Sequence, residues 1–237
     1  MKKMIAMALF ATMFVFSSCK KDDDDDDNND YTCTTCTSTP DALAANDASS
    51  AGVYKGVLLG STGTISISLF NGNTSATAVV VLDDETVSLT STDLAGWTPG
   101  QAVSNALFTG TINGQNVSAV FSVDANGQNP TVSVGYPGHG AIVVEVYKEY
   151  STALVKSYEG TYTGDDSGGL NIVMRGNDYA VIIPNGVLVE TALVNGKVEF
   201  VSQGTTVDGD FITTDHLKGT WSNTSSESGT WEAKRSL

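Results

Sequence analysis

VYKGVLLGSTGTISISLFNGN, residues 53–73, is the stretch on which the fold turns. Ile65, Ile67 and Leu69 fall on one face and Ser66 and Ser68 on the other, the two-residue period of a half-buried antiparallel strand. The stretch closes on Asn71-Gly72, a pair that takes the positive φ angles of tight hairpin turns at little cost. Later in the chain SYEGTYTGDDSGGLNIVMRGN, residues 157–177, repeats it with one residue inserted. Tyr54 matches Tyr158, Gly56 matches Gly160, Gly63 matches Gly168, and Ile65 and Ile67 match Leu170 and Ile172. A fainter likeness joins FTGTIN at Phe108 to LKGTWS at Leu217. Self-similarity at this spacing marks an internal duplication, with a first β unit over 51–150 and a second over 157–237.

The rest of the body carries the same signals. Asn-Gly recurs at Asn113, Asn126, Asn185 and Asn195, and Asp-Gly at Asp208, each read as a turn between alternating or β-branched runs. TAVVVL, TVSLTS, VSAVFSV, AIVVEVY, YAVII and KVEFVSQ read as strands, and no convincing helical period follows Val53. The expectation is an all-β antiparallel meander with seven or eight short strands in each unit. The two units form small barrels or sandwiches, or together close one larger barrel or clam. A closing hairpin has Leu217, Gly219 and Trp221 on one face and Gly229, Trp231 and Ala233 on another, glycine opposite a large aromatic being a common way to fill a curved sheet's interior. Ahead of the body, Pro40 to Ser50 suggests a short helical turn.

The N-terminus is an address. Lys2 and Lys3 precede an apolar run from Met4 to Phe16 and the small residues Ser17 and Ser18, the layout of a secretory signal peptide over residues 1–18. The small residues before Cys19 resemble the lipobox of bacterial lipoproteins, which implies cleavage ahead of Cys19 and lipidation of that cysteine. Behind it, CKKDDDDDD resembles the lipoprotein export signal of Bacteroidota. That resemblance implies that Lys20, Lys21, Asp22, Asp23 and Asp24 direct the protein to the outer face of the outer membrane. Adjacent carboxylates repel one another and bury no apolar surface, so residues 19–50 are expected to form an acidic flexible tether. The same run also serves as a spacer that holds the body clear of lipid headgroups.

Removing the signal leaves 10 of the 12 basic residues against 27 acidic ones, a formal charge of −17. Such a chain lacks the basic surface that nucleic acid demands. Cys33 and Cys36 form a C-x-x-C pair, which in an exported chain most often means a local disulfide. Free or partner-bridging thiols rank second; redox chemistry, without a βαβ context, ranks a distant third.

A search for chemistry returns little. The sequence has no G-x-S-x-G, no H-E-x-x-H and no phosphate loop between strand and helix. His139 and His216 read as exposed turn residues. Asp83, Asp84 and Glu85, Asp165 and Asp166, and Asp208 and Asp210 all fall where turns are expected, with weak calcium binding at the last two pairs a minor alternative. Neither a cofactor nor a metal is called for. Trp97 and Tyr136, in Gly/Pro-flanked loops, are the candidate ligand-binding platform, with a plug at an open sheet end as the alternative for the tryptophan. The leading reading is a surface-anchored, non-enzymatic binding module for an extracellular glycan, small nutrient or envelope partner. A structural or adhesion component of the envelope comes second, and a carboxylate-dependent hydrolase third.

Overall fold

The structure, a computed structural model, describes residues 31–58, 63–140, 142–183 and 187–237. The signal peptide, Cys19, the lysine and aspartate run and the Asn185 turn lie outside the described residues. The body is two eight-stranded antiparallel meanders, the all-β duplication that the repeat implies.

The first unit comprises β1 (Gly52–Leu58), β2 (Gly63–Leu69), β3 (Ala76–Leu82), β4 (Glu85–Ser91), β5 (Val103–Ile112), β6 (Gln115–Val123), β7 (Thr131–Gly135) and β8 (Ile142–Glu149). β8 pairs with β1, so the sheet closes into a barrel. The second comprises β9 (Val155–Gly164), β10 (Gly168–Arg175), β11 (Asp178–Ile183), β12 (Val187–Ala192), β13 (Val198–Ser202), β14 (Thr205–Thr213), β15 (His216–Asn223) and β16 (Ser228–Arg235). Here β9 pairs with β16, and the two edges of the curled sheet are β12 and β13. The near-closed second barrel therefore opens between its fourth and fifth strands. In the first barrel the equivalent seam, β4 to β5, is held by one registered pair, Thr90 with Thr109.

The repeat is legible residue by residue. Tyr54 lies across from Ile67 and Gly56 across from Ile65; Tyr158 lies across from Ile172 and Gly160 across from Leu170. Each tyrosine is fully buried and donates its hydroxyl to a backbone carbonyl, Tyr54 to Ser50 at 2.7 Å and Tyr158 to Thr214 at 2.9 Å. Each glycine marks a close approach of the closing strand. A Cβ on Gly56 would stand 1.8 Å from the Glu145 carbonyl oxygen, and one on Gly160 1.8 Å from that of Glu232. The fainter likeness of FTGTIN to LKGTWS is no part of this duplication, because it matches a fifth strand with a seventh. It reflects instead two glycines, Gly110 and Gly219, that both sit against a neighbouring strand's carbonyl.

Two sequence expectations need correction. Asp208-Gly209 is not a turn: it lies within β14, where Gly209 is paired with Gly219, and its lack of a side chain makes room for the Trp231 ring. Residues 31–50, expected as the end of a flexible tether, are a strap docked on both barrels. Tyr31 donates its hydroxyl to the Arg235 carbonyl, Arg235 Nη2 donates to the Thr37 carbonyl, and Cys33 N donates to Asp215 Oδ2. Further along, the Asp41 and Ala42 amides donate to Glu149 Oε1. The short helical turn expected in Pro40 to Ser50 is a 3₁₀ turn, Ala44–Asn46.

The barrels pack side by side. Val57 and Tyr147, on outer faces of β1 and β8, meet Val155, Val173 and Ala180 of β9, β10 and β11. This contact covers the outer face of β1 at Val57 and the strap covers it at Lys55, so every residue of β1 is buried. Lys55 Nζ is 2.9 Å from Glu149 Oε2 and 2.8 Å from Asp41 Oδ2, an ion pair set between strap and barrel. Buried charges are tolerated only when paired and hydrogen-bonded, and Glu149 meets that condition: Oε2 also accepts from the Val155 amide at 3.0 Å.

Candidate functional site

An eight-stranded barrel has an interior just wide enough to be filled by side chains or to hold one small ligand. This chain shows both outcomes. In the first barrel Tyr54, Phe108, Phe121, Leu89 and a continuous set of aliphatic residues fill the interior. In the second, the inward positions of β14, β15 and β16 include Gly209, Gly219 and Gly229, and a cavity of about 250 Å³ remains.

The glycines decide the cavity's shape. Trp231 stands across from Gly219, and Trp221 across from Gly229. A Cβ on Gly209 would come within 2.0 Å of Trp231 Cζ2, so that ring lies flat on the bare backbone of β14 and β15. Both indole N–H groups are tied into the wall, Trp231 to the Asp208 carbonyl at 3.2 Å and Trp221 to the Thr163 carbonyl at 3.1 Å. The rings thus offer carbon surface to the cavity and spend their polar atoms elsewhere. Tyr162 stands edge-on to Trp221, with centroids 6.1 Å apart and planes at 89°. Ile172, Val181, Val198, Phe200 and Val207 complete the apolar wall.

The mouth lies at the end of the barrel formed by the β9–β10, β13–β14 and β15–β16 turns. Asp166, Gln203, Asn223 and Glu227 contribute the polar lining there. The turn is braced: Asn223 Nδ2 donates to Glu227 Oε2 at 2.6 Å, and the Ser228 amide donates to Asp165 Oδ2 at 2.8 Å. Burial, with the Asp166 carboxylate adding to it, pushes the Tyr162 phenol above its ordinary range.

Trp97 and Tyr136, the aromatics singled out from sequence, are brought to opposite ends of the other barrel. Trp97, in the β4–β5 loop, stacks on Phe70 with centroids 5.1 Å apart and packs against the core. Tyr136, after β7, is 9 % exposed and stands edge-on to His139 at the far end. Each closes an end of the barrel, and they do not share a surface. Cys33 and Cys36 are joined by a disulfide in the strap.

The remaining candidates serve local structure. His139 Nε2 is 2.9 Å from Asp83 Oδ2 across two turns. His216, expected in an exposed turn, is instead buried at the start of β15, 2.7 Å from Glu232 Oε1 and covered by Tyr31 of the strap. Its neighbour Asp215 pairs with Arg235 at 3.2 Å. Asp208 and Asp210 belong to β14, and Asp210 pairs with Lys197. Among the described residues no group of three or more His, Cys, Asp or Glu side chains could hold a metal ion.

The fold and cavity define a tandem β-barrel protein in which one barrel is filled and the other hollow. Comparison of the chain with protein-family models, with curated proteins and with solved structures gives no significant match.

Proposed function

We propose that the protein is a surface-anchored binding module whose second barrel receives one small ligand with an apolar body. The observation that carries this reading is the contrast between two copies of one fold: the first interior is packed with side chains, while the second keeps an aromatic-walled cavity open at one end. Pockets of this kind, mostly apolar with a few polar groups at fixed points, are the usual form of small-ligand sites. The filled barrel then acts as a rigid mount, joined to the hollow one by the strap and the shared apolar interface. The lipobox-like Cys19 and the acidic run behind it support placement at the bacterial surface, where such a module would meet extracellular small molecules.

The test is a titration of the mature chain with the neutral fluorophore N-phenyl-1-naphthylamine, read by energy transfer from Trp221 and Trp231. Saturable one-site binding is expected, and V207F, which fills the wall between Phe200 and Trp221, is expected to abolish it while circular dichroism stays unchanged. Non-saturable binding by the native chain, or equal binding by a folded V207F, would refute the reading.

A further inference from the structure

We propose that the hollow barrel selects a cationic ligand, an ammonium group carried on an apolar body. This rests on the binding role proposed above and adds the charge of what is bound. Three observations converge on it.

The first is the sign of the mouth. The three described turns of that end carry Asp165, Asp166 and Glu227, and none of them contains a lysine or arginine. The six basic residues of the second unit are placed elsewhere. Lys156, Arg175, Lys197, Lys234 and Arg235 lie at the opposite end, and Lys218 projects outward from β15. Two of these three turns therefore set carboxylates at the entrance with no basic group to offset them, and low-dielectric walls focus that field into the opening.

The second is the form of the walls. Tyr162 and Trp221, set edge-on at 89°, both line the cavity. Trp231 adds a third ring on the cavity wall. Aromatic faces attract a cation through their quadrupole, and tryptophan does so most strongly.

The third is that neither indole N–H is free to donate into the cavity. Both indole N–H groups are already bonded to wall carbonyls, so an anionic or carbonyl-rich ligand would find them taken. A positive head loses less hydration in this cup than a negative one would, because the rings and the rim carboxylates replace its water shell.

The experiment compares two ligands of one shape that differ by a single charge. Benzyltrimethylammonium and neopentylbenzene, its carbon isostere, are each used to displace N-phenyl-1-naphthylamine from the full mature chain at low ionic strength. The cation is expected to bind about tenfold more tightly than the isostere. Raising the salt to about 1 M, where the Debye length is about 3 Å, should shrink that ratio. The double variant D166N/E227Q should reduce it to about two- to threefold, the share left to the rings. Equal displacement by the two ligands, or tighter binding of the isostere, overturns the proposal and leaves the binding role standing. Displacement by neither ligand, with the fluorophore bound, overturns it too. No fluorophore binding at all removes both readings.

Discussion

Glu149 is the point where strap, first barrel and second barrel are tied together, and replacing it with glutamine tests how that joint works. The side chain is fully buried and accepts four hydrogen bonds: Oε1 from the amides of Asp41 and Ala42, at 2.6 and 3.3 Å, and Oε2 from Lys55 Nζ and the Val155 amide, at 2.9 and 3.0 Å. A glutamine keeps the shape but puts an NH₂ donor against one of these two donor pairs, and it removes the charge opposite Lys55. Lys55 would then retain only Asp41, whose side chain is half exposed. Breaking a buried ion pair from one side costs about 3–5 kcal/mol. At about 4–8 °C per kcal/mol for a domain of about 100 residues, E149Q should lower the melting temperature by about 12 °C or more. Differential scanning calorimetry measures this, and hydrogen exchange at the Asp41, Ala42 and Val155 amides localises it. The paired replacement K55M/E149Q leaves no buried charge unpaired, keeps an amide oxygen to accept from the strap amides, and should lose less than either single change. A shift of only a degree or two for E149Q, or a paired variant worse than both singles, would refute this account of the joint.

Other consequences are as direct. G209A places a methyl where Trp231 lies, so it should push the ring into the cavity, weaken fluorophore binding by about tenfold or more, and shift tryptophan emission. Glu145, on the outer face of β8, has its carboxyl raised to about 7 by burial and by the nearby Glu190. The folded state therefore holds a proton that the unfolded chain releases near 4.5, and stability should fall as pH rises from about 4.5 to about 7. E145Q should flatten that slope in denaturant titrations run across the window. Replacing Asp22 to Asp27 with asparagine should hide the protein from protease shaving of intact cells while lipid labelling at Cys19 persists; continued exposure would reduce the run to a spacer.

The fold could be read from sequence because its signals are local. Alternation at Ile65, Ile67 and Leu69, positive φ at Asn113-Gly114 and Asn195-Gly196, and Tyr-x-Gly at both unit starts each depend on a few neighbouring residues. That the closing hairpin sets glycine opposite a large aromatic was legible for the same reason; that Trp221 meets Gly229 and Trp231 meets Gly219 was not. The cavity was not, because it is a difference in volume summed over eight strands, and no short window contains that sum. Asp208-Gly209 shows the limit from the other side: its turn chemistry is real, but Trp231, brought from β16, determines what the glycine is for. Trp97 looked available because it sits among glycines and proline in a long loop; only the three-dimensional path folds it onto Phe70. His216 likewise read as exposed, and it is covered by Tyr31 of the strap, a part of the chain distant in sequence.

The seam between the fourth and fifth strands has a mechanical consequence. A closed hoop of hydrogen bonds resists widening, since any increase in girth must break a ladder somewhere around it. The first barrel is such a hoop, and its thinnest link is the Thr90–Thr109 pair. The second is a split ring. Among the described residues no ladder joins β12 to β13 beyond the turn bridge of Val194 and Lys197. Its circumference can spring open or draw in around an occupant without a backbone bond being lost, so the hollow copy is also the compliant one.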